Sequence, residues 1–436
     1  MKIYHRWIPA LAGLLVLGMA VGSGQSNSGV KAFTGARLID GNGKAVGNAT
    51  IVVRDGKVVA AGPKVKAPKG AQTISLAGKT VVPGFVNAHG HMNDQYSGGG
   101  GGKKSSKSDD GGEASLLRQL GVYARYGITT VWSLGGEPEA AVKVRDSQDT
   151  PTLDRARLYY AGTVIVGKTP DEARQMVDKV AATYKPDIIK IRVDDNLGAN
   201  PKMTPDVYRA VIEEAHKLGF RVAVHIFYLD DAKALLRLGA DYVAHSVRDK
   251  DVDDEFISMM KQRDIPYCPT FTREFSTYGY DSIPAFFKDP FFLREANKEV
   301  MARLEDPAAQ AAMRNSKSAQ GYKAAMPTAN RNLKKLTDAG VRIVMGTDTG
   351  AAPGRFQGYF EHMEMHMMAE AGMTPAQVLR ASTSNGAHAL KLDGKVGTLE
   401  PGAWADFVVL DKDPLQDIHN TESVASVWIA GNQLRR

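Results

Sequence analysis

The feature that most constrains this chain is an alternation. Between residues 81 and 348 eight short apolar segments recur, with helix-patterned stretches between several of them. They are V-V-P-G-F-V-N-A (81–88), T-T-V-W-S-L (129–134), L-Y-Y-A-G-T-V (158–164) and I-I-K-I-R-V (188–193). R-V-A-V-H-I (221–226), Y-V-A-H-S-V (242–247), I-P-Y-C-P-T-F (265–271) and R-I-V-M-G-T-D (342–348) continue the series. Strands buried on both faces read as runs of this kind. Between two of them, P-D-V-Y-R-A-V-I-E-E-A-H-K-L-G puts Val207, Val211, Ile212, Ala215 and Leu218 on one helical stripe and stops at Gly219. Lone His216 there sits among charged neighbours and reads as a surface residue. Eight β-α repeats of this length predict an α/β fold, a parallel (β/α)8 barrel over 81–394.

The ends differ. Residues 30–80 and 395–436 hold short β-rich runs broken by turns, such as A-T-I-V-V-R-D-G-K-V-V on one side and V-A-S-V-W-I-A-G-N on the other. D-G and G-N dipeptides between such runs predict hairpins. Neither end can bury a comfortable core alone, so they are expected to pair into one small β-sandwich domain built from both chain ends. Ahead of them, M-K-I-Y-H-R, an apolar run from Trp7 and the small residues V-G-S-G-Q-S have the three-part layout of a secretory signal peptide over 1–24. The mature protein is then expected to be exported to the periplasm, with no stable membrane insertion. The one cysteine, Cys268, excludes an internal disulfide and has no base beside it, which favours a buried structural thiol. The net charge of +7 is scattered, with no basic stripe, so no nucleic-acid partner is expected. Residues 97–112, S-G-G-G-G-G-K-K-S-S-K-S-D-D-G-G, cannot bury a core and read equally as a lid or an inert loop. Residues 272–300 are aromatic-rich and could wall an apolar pocket or simply cover the barrel mouth.

Polar groups stand where the barrel strands end. His89 and His91 lie two apart, on one face of the first strand. Lys190 and Arg192 share a face of the fourth, His225 and His245 end the fifth and sixth, and Asp348 ends the eighth. Barrel active sites sit at these C-terminal ends. One apolar-flanked histidine is an ordinary core residue; four histidines, a lysine and an aspartate at equivalent ends point to a metal centre. Imidazole with carboxylate suits zinc and related divalent ions, which bring bound water to a pKa of about 7. These ligands are generous for one ion and lean for two. Lys190 is the puzzle: an ammonium beside two cations is repelled, so it must be neutral, displaced or converted to an anion. In E-H-M-E-M-H-M-M (361–368), His362 and His366 share a helical face, but Met363 stands where the zinc-protease pattern needs glutamate, and no second metal site is expected there.

The ordered set V-V-P-G-F-V-N-A-H-G-H, I-I-K-I, A-V-H, V-A-H-S and G-T-D-T, with A-R-L-I-D-G-N-G, V-G-T-L-E-P-G-A-W-A-D-F-V-V-L-D and G-M-T-P-A-Q-V-L-R-A-S-T-S-N-G-A, resembles the metal-dependent amidohydrolase superfamily over roughly 30–430. The branch it resembles holds imidazolonepropionase-like and prolidase-like dipeptidase members. The resemblance implies a binuclear hydrolase of amide or peptide-like C–N bonds, acting on a dipeptide or N-acyl amino acid through a metal-bridging hydroxide. It implies His89, His91 and Asp348 around one divalent ion and His225 and His245 around the other, with zinc the expected metal. Lys190, carboxylated by CO2, would bridge both, and Asp348 would pass a proton to the leaving amine. Arg192, Tyr228, Arg273 and Arg355 are candidates for contacts to a small-molecule substrate, Arg192 as a bidentate carboxylate clamp. Related dipeptidases often carry a tyrosine just past the fifth-strand histidine; here, in H-I-F-Y-L-D-D, Tyr228 stands one residue further on. The same centre would suit phosphotriester, lactone or carbamate hydrolysis. A catalytically idle periplasmic binding protein is the reading from another class, and a homo-oligomer is left open.

Overall fold

The computed structural model describes residues 29–92 and 112–435. The signal-peptide segment and residues 97–111 lie outside the described residues. Strands Phe85–Gly90, Ile128–Ser133 and Arg157–Tyr160 form one parallel sheet, and Ile189–Arg192, Val222–His225, Tyr242–Ala244 and Tyr267–Cys268 form a second. Backbone bonds join the two at both seams. Ile165 N donates to Lys190 O at 2.9 Å. On the other side Val344 N donates to Tyr267 O at 3.0 Å, and Ala88 N donates to Met345 O at 2.8 Å. Residues 341–349 thus serve as the eighth stave, held by isolated bridges rather than a continuous ladder. Gly346 explains the tightness: a Cβ there would lie 2.5 Å from Cys268 Sγ and 2.7 Å from His89 Cβ. The remaining staves are shorter than their apolar runs, because several run on into loops at the C-terminal mouth. Apolar faces of the surrounding helices, Val207, Val211, Ile212 and Ala215 among them, close over the ring.

The two chain ends share one hydrogen-bonded sheet, in the order Asn432–Gln433, Val424–Ile429, Phe407–Leu410, Thr80–Pro83, Lys31–Ile39, Ala45–Arg54, Lys57–Gly62. Phe33 packs against Phe407 and Trp428 with ring centres 4.9 and 4.6 Å apart, so the sheet encloses a small core of its own. The run at 81–88 is two strands. Thr80–Pro83 pairs with 407–410 in this sheet, and Phe85 begins the barrel, so the crossover falls at Gly84 rather than at residue 81. Both halves are fully buried, which is why the apolar pattern hides the junction. Arg157, wholly buried on the third barrel strand, donates to Asp406 at 2.8 Å and stacks over Trp404, pinning barrel to sheet.

The aromatic-rich segment after the seventh strand folds into helices, Phe271–Tyr278 first. Phe286, Phe287 and Phe292 pack on Phe356, Tyr359 and Phe360 of the following segment. The space left beside Phe292 and Phe356 is about 10 Å³, so these rings pack as core. No helix among the described residues is long and apolar enough to cross a membrane.

Candidate metal centre

His89, His91, Lys190, His225, His245 and Asp348 meet at the C-terminal mouth of the ring. His91 Nε2 lies 2.8 Å and His89 Nε2 3.2 Å from Asp348 Oδ1. The donor atoms of these three residues lie within 4.8 Å of one another. Lys190 Nζ stands 3.2 Å from His89 Nε2. The His245 ring is 4.6 Å from that of His89 and 4.0 Å from that of His225.

The nitrogen each ring offers is set by what holds its other nitrogen. His91 Nδ1 lies 2.7 Å from Gly135 O. A carbonyl only accepts, so Nδ1 carries the proton and Nε2 keeps the lone pair. Glu137 holds that loop, accepting from Gly135 N at 2.9 Å, Gly162 N at 2.8 Å and the Ser133 hydroxyl. Asp194 Oδ2 accepts from His225 Nε2 at 3.1 Å, which leaves Nδ1 as the free donor. His245 Nδ1 lies 2.7 Å from the Thr270 hydroxyl, and its Nε2 is buried with no hydrogen-bond partner among the described residues. His89 departs from this pattern: its Nδ1 is the buried nitrogen without a partner. Lone pairs aimed inward beside a carboxylate are what a divalent cation satisfies, and the donor set fits one.

Charge follows from burial. Burial holds the His225 imidazole at about 3 and those of His89 and His245 well below their ordinary range, so all three are neutral at pH 7. Burial lowers the Lys190 amine to about 8. Burial alone would raise the Asp348 carboxyl, but the Arg355 guanidinium beside it, with the His89 and His91 ring contacts, outweighs burial and keeps it well below the usual carboxylate range. Three residues at strand ends, His245 (φ 72°), Thr270 (φ 52°) and Asp348 (φ 60°), adopt left-handed backbone. Each costs on the order of 1–3 kcal/mol and persists where the surroundings over-determine it. Beneath Asp348, the Glu361 carboxylate accepts from Asn87 Nδ2 at 2.6 Å and from Thr347 Oγ1, Thr349 Oγ1 and Gly358 N at 2.7 Å each. It ties the first stave to the eighth.

The substrate candidates divide. Arg355 donates to Asp348 and Arg273 to Glu274 at 2.9 and 3.0 Å, so both guanidiniums already serve carboxylates. Tyr228 turns its hydroxyl to Asp195 at 3.0 Å. The Arg192 side chain makes no hydrogen bond or ion pair with described residues and opens on a cavity of about 510 Å³ shared with Lys168, Asp194, Asn200 and Lys202. The sequence reading missed Asp194, Thr270, Glu137 and Glu361. Asp194 had a signal, since 190, 192 and 194 alternate onto one face. The other three act across the fold and left none.

The Amidohydrolase family profile matches residues 80–434. Imidazolonepropionase of Cutibacterium acnes is 27% identical over 391 residues, covering 83% of this chain and 84% of that protein. A 5-methylthioadenosine/S-adenosylhomocysteine deaminase of Teredinibacter turnerae is 31% identical over 117 residues, 23% of this chain, and the match spans only 26% of that protein. The crystal structure of a Xaa-Pro dipeptidase with bound methionine in the active site superposes with a TM-score of 0.74 at 22% identity, covering 93% of this chain and 100% of that one. With the ring of staves, this fixes a barrel fold of the TIM type. The chain belongs to the amidohydrolase family and is a metal-dependent hydrolase acting on carbon–nitrogen bonds.

Proposed function

We propose that this is an exported binuclear hydrolase that cleaves an amide or peptide-like bond in a small substrate carrying a carboxylate, a dipeptide or N-acyl amino acid. His89, His91 and Asp348 would hold one divalent ion, with zinc favoured by the donor chemistry, and His225 and His245 the other. Lys190, as a carbamate, would bridge them. Such ions, when bound, acidify water and polarise the scissile carbonyl. The chain's own part is proton handling and orientation. Asp348, ionised and braced by Arg355, is suited to accept a proton and return it to the departing amine. With its amine lowered to about 8, Lys190 has a neutral fraction near pH 7 that can attack CO2 and release one proton, supplying the anion that the centre otherwise lacks. Arg192, facing the 510 Å³ cavity without an ion-pair partner among the described residues, is the side chain we assign to the substrate carboxylate.

One observation carries this reading: in His91, His225 and His245 one ring nitrogen is engaged by a neighbour outside the cluster and the other is left for a shared centre. Export rests on the leader-like residues 1–24 alone. Metal analysis with intact mass in bicarbonate tests the centre. Two ions per chain and a labile mass gain that disappears in Lys190→Ala are expected; Lys190→Ala with both ions and full turnover would defeat the bridge. Panels of dipeptides and N-acyl amino acids against aryl phosphates, lactones and carbamates test the bond. Turnover of aryl phosphates alone would favour the phosphotriester reading. Less than one metal equivalent with all ligands intact would favour an idle binding protein.

A further inference from the structure

We propose that Thr270 is a positioning residue for the candidate metal centre: its hydroxyl, diverted from helix capping, accepts from His245 Nδ1–H and so leaves Nε2 free for a metal. The inference rests on the binuclear reading above.

Thr270 ends the seventh stave and occupies the N-cap position of helix Phe271–Tyr278. A capping threonine ordinarily has extended backbone and accepts from an N–H two or three residues on. Thr270 does neither. Its φ and ψ are 52° and 48°, and its side chain caps nothing. Another element has taken that duty. Glu364, from helix Tyr359–Glu370, accepts from Phe271 N, Thr272 N and the Thr272 hydroxyl at 2.7 Å each. The released Thr270 hydroxyl lies 2.7 Å from His245 Nδ1, and both residues are wholly buried.

A β-branched residue in the left-handed region is a genuine outlier, and such strain persists where structure around it demands it. Helix capping does not demand it here, because Glu364 caps. What the strained conformation delivers is one oxygen at His245 Nδ1. With that oxygen accepting from Nδ1–H, the lone pair sits on Nε2, the atom that is buried with no partner among the described residues. A metal-ligating histidine is oriented by such a bond at its second nitrogen, and removing the partner costs about 10- to 100-fold in metal affinity.

Zinc titration of the full-length protein against a chromophoric chelator tests this in the wild type, Thr270→Val and Thr270→Ser. The wild type and Thr270→Ser are expected to take two ions alike. Thr270→Val, which keeps the shape and loses the hydroxyl, is expected to hold one ion normally and the other about 10- to 100-fold more weakly. Thr270→Val with both affinities unchanged would overturn the proposal, as would equal weakening of both ions with a lowered Tm. NMR of isotope-labelled histidine in the zinc-loaded wild type needs no variant: a proton on His245 Nδ1 is expected, and one on Nε2 overturns the assignment. A wild type that takes fewer than two ions defeats the binuclear reading instead, and the NMR result still judges Thr270.

Discussion

Replacing Asp194 by asparagine tests how this site holds His225, a candidate metal ligand. The Asp194 side chain is fully buried. Its Oδ1 accepts from Asn196 N at 2.8 Å and its Oδ2 from His225 Nε2 at 3.1 Å. An amide has one acceptor oxygen, so Asp194→Asn must turn its NH2 toward one of these two donors. If it faces His225, the ring is driven to the opposite tautomer, with the proton on the nitrogen the metal needs. If it faces Asn196, the loop shifts and the ring loses its anchor. A lost hydrogen bond to a charged group costs about 1.5–3 kcal/mol. That converts to about 10- to 150-fold, in line with the 10- to 100-fold typical of a ligand's supporting partner. Because burial holds His225 at about 3, protons do not compete for it between pH 6 and 8, and the loss is expected to be flat across that range. Chelator competition at pH 6, 7 and 8 reads it. Unchanged affinity for both ions would refute the reasoning, and so would a loss that grows steeply as pH falls.

Three further outcomes follow. Arg355→Met removes the cation from Asp348; kcat is expected to fall about 10- to 100-fold with KM nearly constant, whereas a rise in KM alone would assign Arg355 to the substrate. Burial raises the Glu361 carboxyl to about 7, so its protonated form favours the fold; that stability is full below about 4.5 and is lost as pH rises through about 7. Unfolding free energy of Glu361→Gln minus that of the wild type is therefore expected to grow from pH 5 to 8, by on the order of 3 kcal/mol, and a difference flat with pH would contradict the burial argument. Arg157→Met strands Asp406 as a buried charge and is expected to cost about 3–5 kcal/mol in urea unfolding; a cost under about 1 kcal/mol would show that the pin between barrel and end sheet is dispensable.

The barrel was legible because strands buried on both faces leave continuous apolar runs, and the candidate ligands were legible because polar side chains interrupt or follow such runs near their C-terminal ends. Continuity also concealed things. Nothing in V-V-P-G-F-V marks the point where Pro83 leaves one sheet and Phe85 enters another, since both sides are buried. The eighth stave reads as a strand, yet Gly346 and left-handed Asp348 leave it only bridges. The groups that orient the ligands were illegible for a different reason. Glu361 and Glu364 sit on a helix long after the strands they hold, and Thr270 matters through a backbone angle that no local pattern encodes. For the aromatic segment composition left two readings open, pocket wall or cover; its rings had an adjacent helix to pack on, and they built core.

Anomalous diffraction from zinc-loaded crystals is the most direct test of the central claim. Two peaks per chain are expected about 3.5–4 Å apart, one against His89, His91 and Asp348 and one against His225 and His245, with density extending beyond Lys190 Nζ between them. A single peak, or ions bound away from these five residues, would contradict it.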